Sequence, residues 1–145
     1  RYIESGGAFV GVHAASDTEY EWPWFGTLVG AWFRDHTPVI EADVHPESPD
    51  DPSTRMLPRP WRRKDEWYAF RTNPRRDVQV LAHMDDAQMG ASTMGGDHPI
   101  AWKREIGKGR SWYTGMGHTI ESFQEPLMLE HLRGGIEWAA RIGPR

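Results

Sequence analysis

Five apolar residues, Ala8 to Val12, stand between a Gly6-Gly7 pair and His13. A run this short cannot form a helix. It has no polar alternation and glycine marks its start, so it suits a strand buried on both faces of a parallel sheet. Arg1 to Ser5 read as the last turn of a helix, with Gly6-Gly7 as its C-cap. A helix end followed at once by a central strand predicts an earlier strand–helix unit. The expectation is therefore that an N-terminal portion of the domain is missing ahead of Arg1.

The rest of the chain alternates in kind. Trp22-Pro23-Trp24 through Gly30 reads as a short helix, opened by Pro23 and stopped by Gly30. Ile40 to Val44 alternates as a strand does. His45 to Pro60 has the Pro, Asp and Ser content of a long loop. Glu66 to Phe70 and Val78 to Ala82 read as strands around an Asn73-Pro74 turn, and Met84 to Asp97 as a second loop. Ile100 to Ile106 and Arg110 to Thr114, joined by Gly107-Lys108-Gly109, predict a β-hairpin. The final helix begins near Pro126. Its apolar stripe is Met128, Leu132, Ile136 and Ala139, widened by Leu129 and Ala140. Gly134-Gly135 costs that helix about 1 kcal/mol per residue against Ala, which a close approach to the sheet would explain.

The chain has 145 residues, enough for one domain over 1–145 with one core. Its net charge of −4 argues against nucleic acid or an acidic membrane surface as the main partner, since both need a clustered basic field. Arg59, Arg62, Arg63 and Lys64 form one basic cluster, expected to be solvated surface. No apolar stretch approaches the ~20 residues that span a bilayer. With no cysteine, thiol nucleophiles, thiolate metal sites and disulfides are excluded from this chain. Eight Trp are unusual, and core packing is the favoured role for any one of them, with ligand contact second.

Two glycine-flanked histidines are the leading candidates for chemistry. His13 ends the first strand in Val12-His13-Ala14-Ala15-Ser16-Asp17, a strand-to-helix elbow. In open α/β sheets ligands sit beyond the carboxyl ends of strands. His118 follows a strand in Gly115-Met116-Gly117-His118-Thr119-Ile120-Glu121, where glycines permit sharp turns and close approach. An imidazole in either place can serve as acid, base, ligand or donor. Asp97-His98 brings a carboxylate and an imidazole together in a tight turn. Asp65-Glu66-Trp67-Tyr68 sets acids beside aromatics, as sugar recognition requires. His13, Asp17, Asp97, His98 and His118 could together offer N and O ligands to a divalent metal. No HExxH or comparable spacing supports that, so no metal and no other cofactor is expected.

The blocks GGAFVGVHAASDTEYEWPWFGTLVGAWF, DEWYAFRTNPR, MGGDHPIAW, GRSWYTGMGHTIESF and LRGGIEWAA together resemble a ThuA-like domain of the trehalose-utilisation family. The resemblance runs over essentially the whole chain. It implies an α/β fold of class I glutamine amidotransferase type. That fold is a flavodoxin-like doubly wound, mostly parallel sheet with helices on both faces. Such amidotransferases keep a Cys at the elbow and a His-x-Glu motif late in the sheet. Here His13 takes the elbow, and His118 and Glu121 are one residue further apart, so a Cys-His-Glu glutamine hydrolysis is not available. Ser16 is a poor substitute nucleophile.

The resemblance implies carbohydrate catabolism, on 3-keto-disaccharides or glycosides, by histidine acid/base chemistry. The expected catalytic residues are His13, His118, Glu121 and Asp97, and the expected sugar contacts are Asp17, Trp22, Glu66, Trp67 and His98. The alternative is a non-catalytic carbohydrate-binding module of a larger multidomain protein. The partner in either case is a small carbohydrate, with a homodimer or a fusion to other domains as further arrangements. The compartment, cytoplasmic or secreted, is left open.

Overall fold

In a computed structural model, residues 1–143 are described. The strands are β1 (Ala8–Val12), β2 (Phe33–Pro46), β3 (Trp61–Phe70), β4 (Gln79–Met84), β5 (His98–Ile106) and β6 (Gly109–Thr114). The helices are α1 (Pro23–Val29) and α2 (Pro126–Ala140). One six-stranded sheet runs in the order β1-β6-β5-β4-β2-β3.

The mixed α/β class is as expected, but the sheet is not mostly parallel. Only β1 and β6 run parallel, and the β6–β5, β5–β4, β4–β2 and β2–β3 pairs are antiparallel. The reason is connectivity. Parallel neighbours need a crossover of a dozen residues or more, usually a helix. Between β2 and β6 the joins carry only turns and 3-10 segments. The Gly107-Lys108 hairpin forms as predicted, pairing Ile106 with Gly109. The Asn73-Pro74 turn does not make a hairpin, because β2 lies between β3 and β4.

Helices do cover both faces. Adjacent residues of a strand point to opposite sides. On β6, Ser111 Oγ donates to the Leu28 carbonyl of α1 at 2.5 Å. Its neighbour Trp112 lies under α2, against Gly135.

The buried stripe of α2 differs from the one expected. Met128, His131, Gly134, Gly135 and Ala139 are buried, while Leu129 and Ile136 are exposed. The two glycines face inward because the helix passes too close for side chains. A Cβ on Gly135 would overlap the Trp112 indole, and one on Gly134 the Pro52 carbonyl. The N-terminal turn ends as read from sequence. The Gly7 amide donates to the Tyr2 carbonyl and the Gly6 amide to that of Ile3, with Gly6 at φ +119°. That is the Schellman pattern.

Trp61, Trp67, Trp102 and Trp112 are fully buried, and each indole N–H has an acceptor. The basic cluster is not all surface. Arg63 is buried in an ion pair with Asp65 at 2.7 Å and with Glu125 at 3.0 Å. It points to the opposite face of β3 from Arg62 and Lys64, which stay exposed.

Candidate active site

β1 delivers His13 to the end of the sheet beside β6, and the chain turns there into a short 3-10 segment, His13–Ser16. His13 has φ +46°, the left-handed region that side chains other than glycine and asparagine seldom adopt. Such strain persists only where the surroundings enforce it, and it clusters at functional sites. Here the enforcement comes from β6. The Tyr113 hydroxyl donates to the His13 carbonyl at 2.8 Å and lies 2.8 Å from Ser16 Oγ. Full burial raises the Tyr113 pKa far above its ordinary value, so it stays a donor. Ser16 is buried and committed to these bonds, which leaves it no role as a nucleophile.

The His13 ring is oriented from both sides. Nδ1 lies 2.7 Å from the Gly115 carbonyl, which can only accept, so Nδ1 carries the hydrogen. Nε2 is then presented to Glu66 Oε2 at 3.2 Å. The ring packs on Tyr68, with centroids 3.8 Å apart.

The period of two along β3 explains which of its side chains reach the site. Glu66 and Tyr68 share one face, and Arg63, Asp65 and Trp67 the other. Glu66 is nearly buried and meets three imidazoles. His13 Nε2 and His118 Nδ1 each lie 3.2 Å from Oε2, and His36 Nδ1 lies 3.1 Å from Oε1. His118 Nδ1 is also 3.2 Å from His13 Nε2. Burial and the Glu66 charge push Tyr68 up to about 12, so its hydroxyl remains protonated at neutral pH.

Asp65 holds the loop that carries His118. Its carboxylate accepts the Gly117 amide at 2.8 Å and the His118 amide at 3.0 Å. Burial works against its charge. The Arg63 guanidinium and those two amides outweigh burial and hold its pKa below the usual carboxylate range. Gly117, at φ +106°, makes the turn that aims both amides at one carboxylate.

The other sequence-predicted residues lie apart from this cluster. His98 is fully buried, with Nδ1 2.8 Å from Asp86 and Nε2 2.8 Å from the Tyr68 carbonyl. It therefore supports β3 from behind. Its carboxylate partner is Asp86, not the adjacent Asp97. Asp97 pairs with Arg75 at 2.6 Å and accepts from Asn73, and these bonds lower its pKa. Glu121 is exposed and shares a depression of about 290 Å³ with Val39, Lys64 and Thr119. It makes no hydrogen bond to either imidazole, and Glu66 occupies the place foreseen for it. Asp17 is exposed and accepts from the Tyr20 hydroxyl. Trp67 is wholly buried, its N–H donated to the Ile40 carbonyl at 3.0 Å, so it cannot touch a sugar. Trp22 is half exposed and lines an apolar cavity of about 530 Å³ with Tyr2, Trp24, Phe25 and Leu28.

Sequence reasoning missed His36 and Tyr68. Tyr68 was in a quoted motif, two residues beyond Glu66, and strand alternation could have placed both on one face. His36 carried no signal: it sits at a register shift between β2 and β3. As lone-pair donors, His13, Glu66 and His118 are also a set that could hold a metal ion.

Residues 1–139 match the ThuA family, described as trehalose utilisation. The chain belongs to the ThuA family. Membership supports a role connected with carbohydrate utilisation. Among solved structures, a ThuA-like protein from Bacteroides uniformis superposes with a TM-score of 0.79 at 29% identity, over 95% of this chain and 60% of that one. A ThuA-like protein from Parabacteroides merdae gives 0.78 at 21% identity, over 99% and 64%. The present chain thus spans less than two thirds of either. A β-galactosidase from Rahnella sp. R3 shares the fold, with a TM-score of 0.63 at 15% identity over 99% of this chain and 20% of that enzyme. No curated protein matches the chain in sequence. No helix among the described residues is long and apolar enough to cross a membrane.

Proposed function

We propose that the ThuA-type protein carrying this chain processes a keto-sugar glycoside by proton transfer at His13, Glu66 and His118. The observation that supports this reading most is the convergence of two imidazoles on one nearly buried carboxylate, 3.2 Å from each. A ketone acidifies the neighbouring C–H. A base takes that proton, and the electron pair moves into an enolate. The enolate re-forms the ketone as the C–O bond to the leaving group breaks, the departing oxygen takes the proton back from the base, and water then adds across the resulting enone. No oxidant or reductant is consumed.

His118 is the base in this scheme. Its side chain is 44% exposed, the more accessible of the two rings, and Glu66 stabilises the imidazolium it becomes. Tyr68, kept protonated, is the donor toward the enolate oxygen. His13 fixes Glu66. A second reading, a non-catalytic sugar-binding module, draws on the exposed Trp22, which is tilted against Trp24 with ring centroids 5.3 Å apart.

A panel of oxidised and unoxidised disaccharides separates the two. The enzymatic reading expects the 3-keto compounds alone to be consumed, and consumption to fall at least about 100-fold in His118→Ala. Unchanged turnover by His118→Ala contradicts it. Binding without turnover, lost in Trp22→Ala, favours the module.

A further inference from the structure

We propose that His13, Glu66 and His118 bind one divalent first-row transition-metal cation. The site stands on ligand geometry alone and does not rest on the sugar reading; a cation on Nδ1 makes His118 a ligand and takes that ring out of the base role.

The three donor atoms form a nearly equilateral triangle. His13 Nε2 to Glu66 Oε2, Glu66 Oε2 to His118 Nδ1, and His118 Nδ1 to His13 Nε2 are each 3.2 Å. Metal–ligand bonds of about 2.1 Å give ligand–ligand edges of about 3.0 Å in an octahedron and about 3.4 Å in a tetrahedron. The observed edges fall between the two. A cation about 2.1 Å from all three corners would stand about 1 Å out of their plane. These atoms come from the turn that follows β1, from β3 and from the loop after β6, so the fold itself assembles the triangle.

Each corner is prepared by a neighbour. The His13 Nδ1–H is spent on the Gly115 carbonyl, which leaves the Nε2 lone pair bare. His36 Nδ1 lies 2.8 Å from the Thr37 carbonyl, so it too carries a hydrogen. That N–H faces Glu66 Oε1 and leaves Oε2 free to ligate. His118 is held through its amide by Asp65. Outer partners of this kind fix tautomer and orientation at metal sites. Without a cation, one proton on His118 Nδ1 must be shared between two acceptors. That hydrogen-bonded triad is the competing arrangement.

The donor set also selects a class. Two imidazoles and one carboxylate suit zinc, manganese, iron or cobalt, whereas calcium and magnesium take oxygen ligands. Three ligands on one side leave positions open toward the exposed side of His118. Water or the vicinal oxygens of a sugar could occupy them.

The test uses the whole chain, stripped with chelator and titrated with zinc chloride and with manganese chloride by calorimetry. Metal content after desalting is measured in parallel. The expected result is one equivalent bound. His118→Ala and Glu66→Gln should weaken binding at least about 100-fold while keeping the wild-type circular dichroism spectrum. His83→Gln serves as control, since His83, His45 and Glu47 form a separate surface cluster. It should leave binding unchanged. His118→Ala keeps the test decisive if Glu66→Gln fails to fold, because its ring is half exposed.

Absence of saturable binding, or wild-type binding by His118→Ala, overturns the site. So does loss of binding in His83→Gln alone. Keto-sugar turnover by metal-free protein, indifferent to chelator, supports the proposed function and leaves the metal site to be decided by the binding titration alone. Stoichiometric binding without turnover supports the metal site and removes the sugar reading.

Discussion

Asp65 accepts the backbone amide of His118 at 3.0 Å, while the next residue, Glu66, meets the ring of that same histidine at 3.2 Å. One dipeptide of β3 therefore sets both the loop and the imidazole. Asp65→Ala should release the Gly117–His118 turn and leave the buried Arg63 with Glu125 as its one charged partner. Truncating one partner of a buried pair costs about 3 kcal/mol or more. Urea denaturation should show that loss, and a change below about 1 kcal/mol would contradict the clamp.

His131 links stability to pH. Its Nδ1 faces the Ser53 carbonyl at 2.7 Å and its Nε2 the Thr114 hydroxyl at 3.1 Å, an arrangement that fits the neutral ring. Full burial lowers its pKa from 6.5 to about 4. Between those values the unfolded chain binds the extra proton, so stability rises with pH across that window. The contribution is complete above pH 6.5, falls as the pH drops, and levels off below about 4. It amounts to about 3 kcal/mol. Denaturation midpoints from pH 7 to 4 should show this slope, and His131→Gln should flatten it. An equal slope in the variant would refute the assignment.

The inward face of α2 can be tested by two opposed substitutions. Helix propensity alone favours Gly135→Ala by about 1 kcal/mol. The overlap of its Cβ with the Trp112 ring should instead make it destabilising, by about 1–3 kcal/mol. Ile136→Ala removes a half-exposed side chain and should change stability by less than about 1 kcal/mol. Thermal melts of the two proteins check the order, and a reversal would restore the stripe expected from sequence.

Tyr68→Phe keeps the ring that packs on His13 and removes only the hydroxyl. If that hydroxyl serves the enolate, kcat on a 3-keto-disaccharide should fall at least about tenfold, with KM little changed. An unaltered kcat would confine Tyr68 to packing.

The sequence made some elements plain and hid others for identifiable reasons. α1, the β5–β6 hairpin and the start of α2 were legible, because glycine, proline and apolar runs mark them locally; β1 was legible as a strand, but it lies at the edge of the sheet and is mostly half-buried, not central and buried on both faces as expected. The antiparallel β2–β3–β4 pairing was not, because strand direction depends on which connections carry helices and which strands meet. The apolar stripe misplaces the buried face of α2 because two glycines and a histidine, which leave no apolar periodicity, form much of it, while the close approach that the glycines imply is present. His13 and His118 stood out through their glycine neighbours. Glu66 was singled out as a sugar contact, yet it stands between the two imidazoles, a placement that depends on a contact 53 residues from His13. His98 and Asp97, neighbours in sequence, turned to different partners, since one begins β5 and the other ends the loop before it.

The measurement that bears most directly on the His13–Glu66–His118 site is the rate of 3-keto-disaccharide consumption by Glu66→Gln beside wild type. The substitution keeps the shape of the side chain and removes the charge between the rings. A rate at least about 100-fold below wild type, in a protein with an unchanged melting profile, is the predicted result. Equal rates in the two proteins would contradict the site.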